Sequence, residues 1–340
     1  MIFMSRFGCS DIGGAEIYNK SLYDALVFCG FNISAPKQVL AGSINVQRLK
    51  VFYDVVRSGD KYVLANHSGF LDVVLIFCLF ILQRQVYVIS HVGPGYRHMD
   101  NMFSLLFVKF VLRWCVRKNF LLTKKQLDWI HGINNKNIGL LMPSIIRREF
   151  FDKPFNNEKI GQACDYIFYY GRVSEDKGIL DLLQAFGRSS IPKLKIAGVL
   201  DEKIESRFNS LLGSEALVDR VEYVGPVYNV NELIDYIDNS IFIVYPSHYD
   251  LYPLAIFESF IRNKLCLSTY VGDNLEIYKD VKYLTQVGDV EALLFNLESS
   301  AYGEMSSYSK FVNEMREEFF KFNPSAVANK YMDEMVLANG

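Results

Sequence analysis

Proline, paired cysteines and long apolar runs are all scarce in this sequence, and each scarcity removes a class of protein. Nine prolines among 340 residues, with no low-complexity tract, exclude a fibrous or collagen-like chain. The six cysteines stand alone at positions 9, 29, 78, 115, 164 and 266 and form no C-x-x-C pair. Isolated thiols in a large core read as small buried hydrophobes of a reducing compartment, not as a disulfide framework. The longest apolar run, Val73 to Leu82, has ten residues, short of the ~20 that cross a bilayer as a helix. Residues Met1 to Arg6 lack the basic start and apolar stretch of a secretory leader. Excess charge is missing too. Against 36 Lys and Arg stand 38 Asp and Glu, a net of −2 that does not suit a general nucleic-acid binder. The expectation is a cytoplasmic chain, soluble or peripheral to a membrane, with no nucleic-acid partner.

Half of the residues are hydrophobic and 14% are aromatic, which excludes wholesale disorder. A chain of this length exceeds one ordinary core and fits two domains. The near-zero charge conceals a split. Residues 1–160 hold 20 Lys and Arg against 11 Asp and Glu, a net of +9, and the remainder carries −11. Beyond an opening strand, short apolar runs read as strands at Tyr62–Ala65, Val86–Ile89, Ile138–Leu141, Tyr166–Tyr170, Leu194–Ala197 and Ile241–Val244. Runs that are apolar throughout imply burial on both faces, as in parallel sheets. Helical spacing lies between them, in Ile179, Leu180, Leu182, Leu183 and Phe186 and again in Leu233, Ile234 and Ile237. The sum is an α/β chain of repeated βα units. The interruption around Pro154 sets the domains at residues 1–155 and 156–324.

Three segments carry chemistry. Gly8-Cys9-Ser10-Asp11-Ile12-Gly13-Gly14-Ala15-Glu16 falls between the opening strand and a helix bearing Ile17, Leu22 and Leu26. Adjacent Gly13 and Gly14 let a backbone approach a ligand and aim helix N–H groups at an anion; a tight turn with no ligand explains the same pair. The dinucleotide pattern G-x-G-x-x-G is absent. Tyr170-Gly171-Arg172-Val173-Ser174-Glu175-Asp176-Lys177-Gly178 again joins a strand to a helix, with Ser174 as a candidate N-cap. Arg172 and Lys177 there either converge where a diphosphate can sit or are solvated loop charges. The third segment, Tyr245 to Phe260, follows the strand ending at Val244. Asp250 lies on its loop, and Glu258 follows eight residues on, in a helix starting near Pro253. Leu254 and Ala255 at that helix start can take an anion while a carboxylate accepts hydrogen bonds from sugar hydroxyls. Glu258 stands among Phe257, Phe260 and Ile261, and a buried acid is rare unless paired.

In this order the segments resemble the retaining, nucleotide-sugar-dependent glycosyltransferases of group 1. The residues that carry the resemblance are Gly13-Gly14-Ala15-Glu16, Gly171-Arg172 with Lys177-Gly178, and Pro246-Ser247 with Asp250 and Glu258. Val224-Gly225 and Asn274-Leu275-Glu276 extend it. The resemblance implies the GT-B fold: two Rossmann-like, doubly wound domains facing across a cleft. Residues 1–155 would hold the acceptor and 156–324 the nucleotide sugar, with a last helix at about 325–340 packing back on the first domain. It further implies that Arg172 and Lys177 bind the donor diphosphate, with Leu254 and Ala255 beside it and Gly13 and Gly14 beneath the phosphates. Glu258 would hold the ribose hydroxyls, and Asp250 stands where the family has a glutamate that contacts the donor sugar. His91 matches a histidine after an N-domain strand, near the transferred sugar, and His67 has a similar post-strand place; a core or loop histidine explains either. Two departures leave the donor sugar open. Asp250 is shorter than glutamate by one methylene, and Leu251 and Tyr252 replace the usual glycine and phenylalanine.

The implied activity is metal-independent, retaining transfer from a UDP- or GDP-linked sugar to a glycan or lipid-linked oligosaccharide of surface polysaccharide biosynthesis. No cofactor is expected, because the chain has no Asp-x-Asp pair to clamp a bridging metal, and fixed positive groups can stabilise the departing diphosphate. A catalytically silent, glycosyltransferase-like partner subunit and a nucleotide-sugar epimerase on the same fold are the alternatives. Residues 97–125 add seven basic residues against the single acid Asp100. Lys109, Arg113 and Arg117 fall at i, i+4 and i+8 among Phe103, Leu106, Phe110 and Trp114. Such a helix can lie on an anionic leaflet, here the cytoplasmic face of the inner membrane. A half-buried helix with a solvated charged stripe has the same spacing.

Overall fold

The computed structural model describes residues 1–5, 14–36, 43–92, 102–131, 139–154, 165–250, 253–278, 281–303 and 306–337. The chain divides into two units, Met1–Ile145 with Phe322–Gly340, and Ile146–Lys321. The first holds a parallel sheet of β1 (Ile2–Met4), β2 (Tyr62–His67), β3 (Gln85–Ser90), β4 (Lys118–Leu121) and β5 (Gly139–Leu141), in that spatial order. Its connections carry α1 (Gly14–Phe28), α2 (Ile44–Ser58), α3 (Phe70–Ile81), α4 (Met102–Trp114) and α5 (Lys124–His131). Ile2 also bridges Ser34, so the chain steps out on one side of β1 before α2 returns it to β2 on the other. Val63, Leu64, Ala65, Tyr87, Val88 and Ile89 are wholly buried, as strands covered on both faces must be.

The second unit holds β6 (Ile167–Tyr170), β7 (Leu194–Ala197), β8 (Val221–Gly225), β9 (Ile243–Tyr245), β10 (Cys266–Thr269) and β11 (Leu284–Thr285). They are parallel in the order β11-β10-β9-β6-β7-β8. The chain runs outward from β6 to β8 and then returns to β9 on the other side of β6. Direction therefore reverses between β6 and β9, and ligands of open α/β sheets bind outside the carboxyl ends at such a switch point. The helices are α6 (Glu149–Asp152), α7 (Ile179–Arg188), α8 (Glu205–Leu212), α9 (Val230–Asp238), α10 (Leu254–Ile261), α11 (Asn274–Tyr278), α12 (Val290–Tyr302) and α13 (Ser306–Phe320). The helical spacings read from sequence become buried faces, Ile179, Leu180, Leu182, Leu183 and Phe186 on α7 and Leu233, Ile234 and Ile237 on α9. Asn229 caps α9 by accepting from the Asn231 and Glu232 N–H groups.

The last helix, α14 (Pro324–Leu337), belongs to the first unit. Its Tyr331 hydroxyl lies 2.9 Å from that of Tyr18 on α1, and its ring meets Phe120 edge-on at 4.6 Å. Lys118 on β4 pairs with Glu334.

Three expectations change. Residues 146–155, placed by sequence in the first domain, open the second unit. Arg262 holds them there, its Nη1 donating to the carbonyls of Phe150 and Lys153 at 3.2 and 2.7 Å. Among the described residues four cysteines are free, but only Cys115 and Cys266 are buried, while Cys29 and Cys78 are half-exposed. The basic stripe at 109–117 is also shorter than expected, because α4 ends at Trp114 and Arg117 lies beyond it. The side of α4 that meets solvent is apolar instead, with Met102, Phe103, Leu106, Phe110 and Trp114 each between 48 and 76% exposed. Arg97 and Asp100 lie outside the described residues. Among the described residues no helix is long and apolar enough to cross a membrane.

Candidate functional site

The second and third sequence segments leave the carboxyl ends of β6 and β9, the adjacent strands at the switch point, and their backbones are laced together. The Asp176 carbonyl accepts from the His248 N–H at 2.9 Å, the Tyr249 N–H at 3.1 Å and the Ser247 hydroxyl at 3.2 Å. Gly178 stands at this crossing with φ +68, and a Cβ there would fall 1.8 Å from the Pro246 carbonyl oxygen. Only glycine permits that approach.

The lacing fixes Lys177. Its Nζ donates to Asp250 Oδ2 at 2.6 Å and to the Tyr249 carbonyl at 3.1 Å. The Tyr245 hydroxyl donates to the same Asp250 oxygen at 2.7 Å. Burial first, and the Asp250 charge second, push the Tyr245 phenol well above its usual range, so it stays a donor. The Lys177 and Asp250 side chains are 13 and 17% exposed, so solvent screens this pair less than a surface bridge. Arg172 is different. Its Nη2 lies 3.2 Å from Asp176 Oδ2 with the side chain 60% exposed, a surface cation in a weak local pair. Ser174 has the N-cap position of the turn Glu175–Lys177, but its hydroxyl donates to Asp176 Oδ1 at 2.5 Å and caps nothing. His248, a residue that sequence gave no role, has Nε2 2.6 Å from Asp181 Oδ2 on α7.

Pro253 is the N-cap of α10, so Leu254 and Ala255 open the helix as the sequence suggests. Residues Ala255 to Ile261 are all buried. Phe257 meets Phe319 at 4.7 Å and Phe260 meets Phe311 at 5.6 Å, which packs α10 against α13. Glu258, 3% exposed, has the partner its burial demands: Arg147 Nε donates to Oε1 at 2.8 Å. The Tyr170 hydroxyl, 3.0 Å from the Ala255 carbonyl, lies 3.3 Å from Oε2. Burial disfavours the Arg147 charge, yet Glu258 outweighs it and holds the guanidinium above the ordinary arginine range. Sequence reasoning missed Arg147, because an Arg-Arg pair before a turn carries no pattern that joins it to a distant carboxylate.

The other candidates belong to the first unit. The His91 N–H donates to the His67 carbonyl at 2.9 Å, and its Nε2 lies 3.0 Å from Asn19 Oδ1, with the ring edge-on to Tyr18. Burial, and then His67, push His91 down to about 3. It is therefore neutral at physiological pH, with Nε2–H given to Asn19 and Nδ1 left as an acceptor. His67 is 1% exposed, lies 3.2 Å from the Ser90 hydroxyl, and is lowered to about 4 by burial and Arg48. It is a core histidine. Gly14 opens α1 in the open, and an added Cβ would meet nothing within 4 Å, so packing does not require glycine there. Gly13, Leu251 and Tyr252 lie outside the described residues. Chemically, the switch point offers one shielded ammonium, a helix start and two carboxylates on rigid supports, a set suited to a phosphorylated, hydroxyl-rich ligand.

Residues 151–315 match the family model described as glycosyl transferases group 1. No curated protein sequence matches the chain. Among solved structures, sucrose-phosphate synthase from Thermosynechococcus elongatus superposes with a TM-score of 0.81 at 17% identity, covering 100% of this chain and 99% of that one. HepE from Anabaena, in complex with UDP-glucose, gives 0.78 at 11% identity over 98% of each chain. WaaG, a glycosyltransferase involved in lipopolysaccharide biosynthesis, gives 0.73 at 11% over 98% of each. Likeness at such identities is one of fold, and two α/β units with parallel sheets match the GT-B fold that the sequence resemblance implies.

Proposed function

We propose that this chain, whose residues 151–315 belong to the group 1 glycosyltransferases, transfers a sugar from a UDP- or GDP-linked donor with retention at the anomeric carbon. The observation that carries the reading is Lys177, held 2.6 Å from Asp250 at the switch point, with Glu258 on the helix that follows the same loop. The Lys177 ammonium meets the donor diphosphate, Asp250 meets the transferred sugar, and Glu258 meets the ribose hydroxyls. In the transfer, the bond from the sugar C1 to the diphosphate oxygen breaks and a bond from the acceptor oxygen to C1 forms on the same face. The acceptor proton passes to the departing phosphate. Lys177 and the first N–H groups of α10 stabilise the charge that develops there, and no divalent ion is required. Arg172 contributes as an exposed cation at the mouth of the loop.

The acceptor is a glycan or a lipid-linked oligosaccharide of surface polysaccharide synthesis, taken by the first unit, where His91 is a neutral hydrogen-bond acceptor. WaaG, involved in lipopolysaccharide biosynthesis, is the structural neighbour that favours this acceptor class, and HepE in complex with UDP-glucose favours a UDP-linked donor. Titration calorimetry with UDP, GDP and ADP, in the presence of EDTA, tests the donor half. One diphosphate is expected to bind with metal removed; binding by none would favour a silent partner subunit.

The exposed apolar face of α4 supports attachment to the cytoplasmic face of a membrane. Phe103, Leu106, Phe110 and Trp114 would enter the interface while Lys109 and Arg113 meet anionic headgroups. Each cation near the surface contributes about 1 kcal/mol. In liposome flotation the chain should rise with vesicles of anionic lipid, less so with neutral vesicles, and Phe103→Ser with Leu106→Ser should abolish both. No lipid dependence would remove the membrane assignment.

A further inference from the structure

Arg147 has no place in the donor chemistry described above, yet it sits within the buried side chains beneath it. We propose that Arg147 is a positioning residue: its guanidinium holds the Glu258 carboxylate in one rotamer, so that it can accept hydrogen bonds from a nucleotide ribose. The inference rests on the proposed donor reading, but its geometry is independent of it. Nε reaches Oε1 at 2.8 Å, and the guanidinium carbon lies 4.9 Å from the Phe150 ring centroid, so ring packing helps to fix the arm. One donor on Oε1 and the Tyr170 hydroxyl near Oε2 leave each oxygen a further lone pair. A vicinal diol needs two such acceptors side by side.

Charge at this point is scarce. The side chains in contact with Glu258 are Arg147 and, from β6, Tyr170, and Arg262 lies one turn along α10. Burial pushes Tyr170 far above its usual range, so it is neutral. Arg262 is committed to Asp238. Arg147 is thus the cation that compensates Glu258. Without it, the carboxylate loses both its counter-charge and the donor that fixes its rotamer, so its two oxygens no longer present themselves to a diol in one arrangement.

The test uses Arg147→Gln, which keeps an N–H donor but no charge, and Arg147→Lys, which keeps the charge but not the fork. Dissociation constants are measured with the nucleoside diphosphate that the wild type binds and with its 2′-deoxy form. The wild type should bind the ribonucleotide more tightly than its 2′-deoxy form, and Arg147→Gln should lose about tenfold of that preference, the share of one hydrogen bond to a charged group. Arg147→Lys should keep the preference. A merely structural role would weaken both nucleotides equally, so a Gln variant that keeps the wild-type preference, or a Lys variant that behaves like Gln, overturns the proposal. If the wild type binds neither nucleotide, the donor reading itself fails; if it shows the preference and Arg147→Gln leaves it unchanged, only the positioning role fails.

Discussion

Lys177→Ala is expected to lower sugar transfer at least ~100-fold, the usual consequence of deleting one strong donor to a developing charge. Two effects add in this chain. The ammonium that meets the diphosphate is gone, and Asp250 loses the cation 2.6 Å away, so its charge faces the phosphates uncompensated. The double variant Lys177→Ala with Asp250→Asn separates them. If Lys177 only neutralises Asp250, the double variant returns to the level of Asp250→Asn alone; if Lys177 contacts the diphosphate, it stays well below that level. Steady-state rates with saturating acceptor decide between the two, and near-wild-type turnover in Lys177→Ala would end the assignment. The fold should tolerate the change, since Gly178, not Lys177, makes the close approach to Pro246.

Glu258→Ala should cost as much in transfer but should also cost stability. Removing the carboxylate leaves the partly buried Arg147, 18% exposed, without its counter-charge, and breaking a buried pair from one side costs up to about 3–5 kcal/mol. Replacing both members by apolar residues removes the unpaired charge, so Arg147→Met with Glu258→Leu should recover most of that loss in urea unfolding. Transfer should not recover, because the acceptor for the ribose hydroxyls is still missing. A double variant that regains both stability and activity would show that Glu258 is a structural acid and no ligand for the donor. Glu258→Gln is the milder probe, keeping the shape and one acceptor oxygen, and it should fall between wild type and Glu258→Ala in donor affinity.

Much of the fold is legible along the chain, for a simple reason. Strands such as Ile167–Tyr170 are buried on both faces, and continuous apolar runs are the local signature of that burial. The strands that escaped have other reasons to be inside. Lys118-Asn119 opens β4, where Asn119 is wholly buried and donates to the Leu112 carbonyl at 2.8 Å. Ser268 in β10 donates to the Tyr245 carbonyl at 3.0 Å, so a polar strand fits a core once its hydroxyl is satisfied. Half-buried β8 lies at the edge of its sheet and carries Glu222 in ion pairs with Lys193 and Lys195. On α4 the spacing of charges was visible, but where the helix stops was not, and that endpoint turned an expected basic stripe into an exposed apolar face.

The sequence alone determined the inventory: two units of opposite charge, motif loops that follow strands, Lys177 ahead of Gly178, and an acid eight residues before another. Each is a property of neighbours along the chain, and local spacing encodes it. Only the tertiary structure decided which groups meet. Strand order put β6 against β9, so that two loops 70 residues apart share the Asp176 carbonyl and bring Lys177 to Asp250. Burial of α10 obliged Glu258 to find a cation, and the turn of chain at the start of the second unit supplied Arg147 from 111 residues away. Desolvation acts through space, not along the sequence, which is why the lysine was readable in advance and the arginine was not.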